Sequence, residues 1–190
     1  MKQGFVKVAA VTPKIVVADT KENTALICAE IKKAEQAGAK IIVLPELCIT
    51  GYTCSDLFLQ EKMLREAKKS LLEIAAFTFA LDCIVFVGLP FEYNGKLYNV
   101  AAAVSNGKVL GFVPKTYLPN YNEFYEARHF TSKPRRRSGS NGQKVIIYLP
   151  DHAGTENRRG TLRGSLDAGT TEYPSCVKRC GCHCQSVSIG

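Results

Sequence analysis

Three groups of residues in this 190-residue chain could do chemistry, each marked out by its local pattern. Glu46 follows the apolar run "IIVLP" (41–45), so a carboxylate emerges where a buried strand ends, a usual place for working groups in α/β folds. Partly desolvated there, it could act as a general base; it could equally be a solvated or helix-capping glutamate. Lys115 follows another apolar run, "GFVP" (111–114), and is surrounded by Pro114, Pro119 and a series of Tyr and Phe. Its ammonium could stabilise an oxyanion, or its stem could lie across the rings with the charge in water. The third group is Cys176, Cys180, Cys182, His183 and Cys184 in "PSCVKRCGCHCQ" (174–185). A metal site there would lack the paired C-x2-C knuckles of most closed zinc sites, and a disulfide framework would not match the remaining cysteines.

The elements that must position Glu46 and Lys115 are legible from periodicity. "FVKVAAV" (5–11) reads as a strand, and 20–40 as a helix capped by Thr20, with Leu26, Ile27, Ile31 and Ala34 inward and Gly38 at its end. "IIVLPE" (41–46) is a second strand, and strand, helix, strand of this length predicts parallel pairing through a crossover. A second helix spans 60–80 with the stripe Met63, Leu64, Ala67, Leu71 and Leu72, followed by the strand "CIVFVGLPF" (83–91). Residues 96–115 read as a hairpin turning at Asn106 and Gly107. The class is α/β.

Composition divides the chain near residue 132. Residues 1–132 hold 13 Lys, 2 Arg and 13 acids with all nine Phe; residues 133–190 hold 3 Lys, 7 Arg and 4 acids with no Phe. The net charge of +8 is therefore mostly a tail property, and no nucleic-acid or membrane partner is expected for the first part. Cys28, Cys48, Cys54 and Cys83 stand singly in apolar or helical surroundings, as reduced thiols of a cytoplasmic protein do. No secretory signal pattern opens the sequence. "KPRRRSGSNGQK" (133–144) reads as a phosphate-binding arm, a solvated linker, or the start of a change in reading frame.

Two longer segments, "LPELCITGYTCSDLF" (44–58) and "PKTYLPNYNEFYEARHF" (114–130), resemble the signature segments of the nitrilase superfamily of carbon-nitrogen hydrolases. Within it they look most like the amino-terminal glutaminase domains of glutamine-dependent NAD synthetases, over residues 5 to about 132. The resemblance implies an α-β-β-α sandwich, about half of it present here, and a Glu, Lys, Cys triad that hydrolyses an amide through a thioester. By resemblance Glu46 is the general base and Lys115 the oxyanion-side lysine. Tyr52 and Tyr121 match aromatic positions near the glutamine pocket, and Glu123 or Glu126 matches an acidic position that supports the lysine. The implied substrate is glutamine and the implied partner a synthetase domain, with homo-oligomers in the parent. The glutaminase part would need no metal or other cofactor, ATP and magnesium belonging to the synthetase. Other nitrilase-like amidases are the alternative within the class; a non-enzymatic protein with a metal- or thiol-binding tail is the alternative outside it.

The family's nucleophile lies some tens of residues beyond the lysine, in a segment like "GVEICEDLW", which this sequence lacks. The expectation is that residues 133–190 are an off-frame, disordered tail and that the chain as written is an inactive, truncated fragment. Read in the adjacent frame with free choice of synonymous codons, "NRRGTLRGSLDA" (157–168) is compatible with TGVELCEDLWMP, and "CVKRCGCHCQSVS" (176–188) with ALSGADVIVNLSA. On that account the terminal cysteines come from codons read out of phase.

Overall fold

The computed structural model describes residues 5–132. Five strands form one mixed sheet in chain order: β1 (Val8–Ala10), β2 (Ile41–Val43), β3 (Ile84–Tyr93), β4 (Lys96–Ser105) and β5 (Lys108–Pro114). β1, β2 and β3 run parallel, while β3, β4 and β5 form an antiparallel meander. The parallel steps are made by α1 (Thr20–Gln36) and α2 (Glu61–Phe77), as a crossover requires. A 3-10 segment, Tyr52–Leu59, precedes α2, and a single turn, α3 (Glu126–His129), follows β5.

Local chemistry explains most boundaries. The cap of α1 is Asp19, whose Oδ1 accepts from the Glu22 N–H at 2.9 Å; Thr20, expected as the cap, is instead buried in the first turn. Gly38, at φ +85°, lies two residues beyond the last helical residue and donates its N–H to Glu35. The β4–β5 turn is Asn106–Gly107, with φ +47° and +77°, as predicted. Asn94 and Gly95, at +50° and +69°, make an equivalent turn between β3 and β4, so the hairpin extends into a three-stranded meander. The first strand is shorter than expected and leaves Phe5 on the surface.

Alternation along the strands separates two faces. Val85, Val87, Leu89, Val100, Ala102, Val104 and Phe112 are buried in one cluster with Ile27 and Ile31 of α1 and Ala67, Leu71, Ile74 and Ala75 of α2. Leu72, placed in the inward stripe by sequence, faces solvent, and Ile74 and Ala75 complete the buried face of α2. On the other face of the sheet Phe86, Ala101, Ala103 and Val113 are half-buried. A second cluster, Leu47, Cys54, Phe58, Met63 and Phe130, ties the 3-10 segment and the residue after α3 to the turn that follows β2.

Candidate active site

β2 and β5 both deliver their ends to the same edge of the sheet, but β3 and β4 lie between them. Three strand spacings amount to roughly 14 Å, farther than a glutamate and a lysine span unaided. Two features close the gap. The chain leaving β2 turns over β3 at Gly88: a Cβ added there would lie 2.4 Å from Pro45 O, 2.5 Å from Leu47 N and 2.8 Å from Glu46 C. The missing side chain is what lets the Glu46 backbone cross the strand. Leu47, buried with φ +52°, then reverses the chain, and its carbonyl accepts from the Thr50 and Gly51 N–H groups. A branched side chain in the left-handed region costs about 1–2 kcal/mol, which the packing of Leu47 among Cys54, Phe58, Met63 and Phe130 offsets.

The second feature is Asn99 on β4. Its carbonyl accepts the Lys115 N–H at 2.8 Å, holding the residue after β5 beside β4, and its side-chain amide donates to Glu46 Oε2 at 3.3 Å. Glu46 and Lys115 are thereby brought into contact: Lys115 Nζ donates to Glu46 Oε2 at 2.6 Å and to Glu126 Oε1 at 2.9 Å. The Tyr52 hydroxyl donates to the same Glu126 oxygen at 2.6 Å. One ammonium therefore sits between two carboxylates, one exposed toward solvent and one buried.

Burial disfavours the Lys115 ammonium, but its hydrogen bonds to Glu46 and Glu126 outweigh that, and its pKa lies above the ordinary lysine value. Tyr52 is held protonated well above the usual phenol range by desolvation and by its bond to Glu126. The lysine is thus a fixed cation rather than a proton carrier at neutral pH, which suits it to stabilising developing negative charge. Glu46, with one oxygen engaged and its side chain 42% exposed, is the carboxylate open to an incoming group.

Of the residues singled out by sequence, the structure brings together Glu46, Lys115, Tyr52 and Glu126. It separates Glu126 from Glu123: Glu126 contacts Lys115, whereas Glu123 is exposed and only lines the adjoining cavity of about 250 Å³ with Tyr52, Ser55, Phe58, Glu126 and His129. Tyr121 is exposed and meets Phe124 edge-on, and Phe124 in turn meets Tyr52. Gly88 and Asn99 were not anticipated. Their signals were present, a glycine inside the apolar strand "IVFVGLPF" and an asparagine inside "LYNVAAAV", each out of place unless a close approach or a buried polar partner requires it.

No cysteine of the described residues hydrogen-bonds to the Glu46 carboxylate or the Lys115 ammonium, and Cys48 and Cys54 donate instead to the Gly88 and Thr50 carbonyls. Cys48 is pushed up to about 12 and Cys28 to about 11, both chiefly by burial, and Cys54 and Cys83 are raised by the same cause. Such thiols stay protonated and inert. The terminal Cys and His cluster and the basic segment 133–144 lie outside the described residues. Among the described residues no group of His, Cys, Asp and Glu could hold a metal ion, and no helix is long and apolar enough to cross a membrane.

The carbon-nitrogen hydrolase family profile matches residues 7–158. The chain is 37% identical over 127 residues to the glutamine-dependent NAD(+) synthetase of Mycobacterium tuberculosis H37Rv, covering 67% of this chain and 19% of that protein. To the enzyme of the same name from Aquifex aeolicus it is 40% identical over 152 residues, covering 73% and 25%. The crystal structure of a glutamine-dependent NAD(+) synthetase from Cytophaga hutchinsonii superposes with a TM-score of 0.66 at 36% identity, over 75% of this chain and 24% of that one. An amidase from Nesterenkonia sp. superposes at 0.59 with 21% identity, over 71% and 51%, a likeness of fold. The chain spans about a fifth to a quarter of the length of these synthetases.

Proposed function

The chain belongs to the carbon-nitrogen hydrolase family, and from that premise we propose that it is the amino-terminal part of a glutamine amidohydrolase domain that supplies ammonia for ATP-dependent NAD synthesis. The fold is the α/β nitrilase fold, of which the described residues form one sheet and its covering helices. The observation that carries the proposal is the ammonium of Lys115 held between Glu46 and Glu126. Its geometry fits the chemistry of amide hydrolysis by a thiol. Glu46 takes the proton of a cysteine thiol, and the thiolate adds to the amide carbonyl. Lys115 stabilises the resulting oxyanion. The same carboxyl then gives its proton to the departing nitrogen, so the C–N bond breaks as ammonia leaves and a thioester remains. Water, deprotonated by Glu46, cleaves that thioester to glutamate and the free thiol.

The substrate is proposed as glutamine because the relatives at 36–40% identity are glutamine-dependent synthetases. The synthetase domain, its ATP and its magnesium are partners of the longer protein in this proposal. The inertness of the four described cysteines supports placing the nucleophile in sequence that residues 133–190 carry in a shifted frame.

Two measurements test this. Sequencing the coding DNA across codons 130–190 should reveal a one-nucleotide change that restores a GVELCEDLW-like segment; an intact frame would remove that part of the proposal. The purified 190-residue chain should release no ammonia from glutamine above a protein-free blank, while the frame-restored protein should release it and lose the activity on Glu46→Gln. A frame-restored protein that hydrolyses other amides but not glutamine would overturn the substrate.

A further inference from the structure

Asn99 is a polar side chain of the cluster that the chemistry above leaves without a part, and it touches Glu46 directly. We propose that Asn99 is a positioning residue that fixes the plane of the Glu46 carboxylate, so that one oxygen faces Lys115 and the other, here Oε1, stays free as the proton acceptor. The inference rests on the amide-hydrolysis reading for its catalytic meaning, but its geometry stands independently.

Asn99 is 3% exposed and touches both partners, the Lys115 backbone through its carbonyl and the Glu46 carboxylate through its amide. Glu46 Oε2 accepts two donors, Lys115 Nζ at 2.6 Å and Asn99 Nδ2 at 3.3 Å, and no donor from the described residues reaches Oε1. A glutamate's last torsion is broad and roughly two-fold. A lysine ammonium acts as a point charge that either oxygen satisfies equally. Lys115 alone would therefore leave the carboxylate plane free to tilt about that torsion. A second donor converging on Oε2 from β4 fixes the plane, and the buried strand that carries Asn99 holds that donor still. The register supports this: Asn99 pairs with Pro90, and Ala101 with Gly88, so Asn99 lies on the sheet face where the Glu46 backbone crosses.

A merely structural asparagine would leave the Lys115 ammonium untouched. Hydrogen exchange of that ammonium, followed by 15N NMR on the 190-residue chain, separates the cases in wild type, Asn99→Leu and Asn99→Ala. Leucine keeps the branched shape, and both variants keep the carbonyl that holds the Lys115 N–H. The expected result is ammonium exchange about tenfold faster in either variant, with Lys115 backbone amide exchange unchanged. A change below about twofold in a folded variant overturns the proposal, as does equal acceleration of ammonium and backbone amide, which would mean general loosening. If Asn99→Ala does not fold, the shape-preserving leucine variant decides. Neither measurement needs turnover, so absence of glutamine hydrolysis by the frame-restored protein would count against the amidase reading alone.

Discussion

Replacing Gly88 by alanine should break the candidate site without touching any of its side chains. The three atoms that a Cβ would meet, at 2.4, 2.5 and 2.8 Å, are all backbone atoms of the turn carrying Glu46, so no rotamer change relieves the contact. Ordinary van der Waals contact begins near 3.4 Å, which requires the turn to move by about 1 Å. The 2.6 Å contact between Glu46 and Lys115 does not survive a displacement of that size. Overpacking of this kind costs about 1–3 kcal/mol, and in a competent parent enzyme a misplacement of about 1 Å is worth about a hundredfold in rate. Gly38→Ala is the control, because φ there is +85° with nothing within 4 Å of the new methyl. It should cost about 1 kcal/mol through backbone conformation alone and leave the site intact. Urea denaturation gives the two stabilities, and 15N NMR of the Lys115 ammonium reports the site. A Gly88→Ala chain within about 0.5 kcal/mol of wild type, with the ammonium signal unchanged, would refute the claim that this glycine admits the Glu46 turn.

Tyr52→Phe removes one of the two donors on the buried Glu126 carboxylate and should lower stability in urea by about 1–3 kcal/mol. Asp19→Ala should cost about 0.5–2 kcal/mol through loss of the α1 cap, read by the same denaturation, whereas Thr20→Ala would lose no cap. Stability should fall as pH rises from 9, because the Cys48 thiol titrates near 9.0 when unfolded but is pushed up to about 12 by burial. Between those values the folded chain holds a proton that the unfolded chain releases, so the contribution is full below pH 9 and is lost toward 12. Cys48→Ser, which cannot titrate there, should flatten that alkaline slope by up to about 1.4 kcal/mol per pH unit; an unchanged slope would show that the buried thiol is not its source.

How much of this was legible in the sequence depended on the kind of signal. Helices α1 and α2 and the Asn106–Gly107 turn are local statements, one of periodicity and one of positive φ, and both appeared where expected. The cap of α1 was off by one residue because Asp19 and Thr20 are both good caps, and only the side chain that reaches the Glu22 N–H decides between them. Leu72 faces solvent although helical spacing places it in the stripe, because that spacing gives a stripe but not its width. Glu46 and Lys115 were found as residues at strand ends, yet sequence could not show that they meet, since 69 residues separate them. The choice of Glu126 over Glu123 likewise required the fold: α3 buries one carboxylate against Lys115 and leaves the other three residues earlier on the surface.

The strand order explains why Gly88 and Asn99 matter as much as the charged residues they serve. A sheet ordered β2-β3-β4-β5 cannot place the ends of its outer two members in contact unless something crosses the middle. β3 gives way by omitting a side chain at Gly88, and β4 reaches out by presenting an amide at Asn99. The two devices are independent in kind, one steric and one a hydrogen bond, and they act on different parts of Glu46, its backbone and its carboxylate. Combining Gly88→Ala with Asn99→Leu should therefore be non-additive at the Lys115 ammonium: once the turn has moved, there is no carboxylate left for Asn99 to orient. The exchange rate of the double variant should equal that of Gly88→Ala alone, within the about 0.5 kcal/mol expected of uncoupled error. Full additivity would mean that Asn99 acts on Lys115 by a route that does not pass through Glu46.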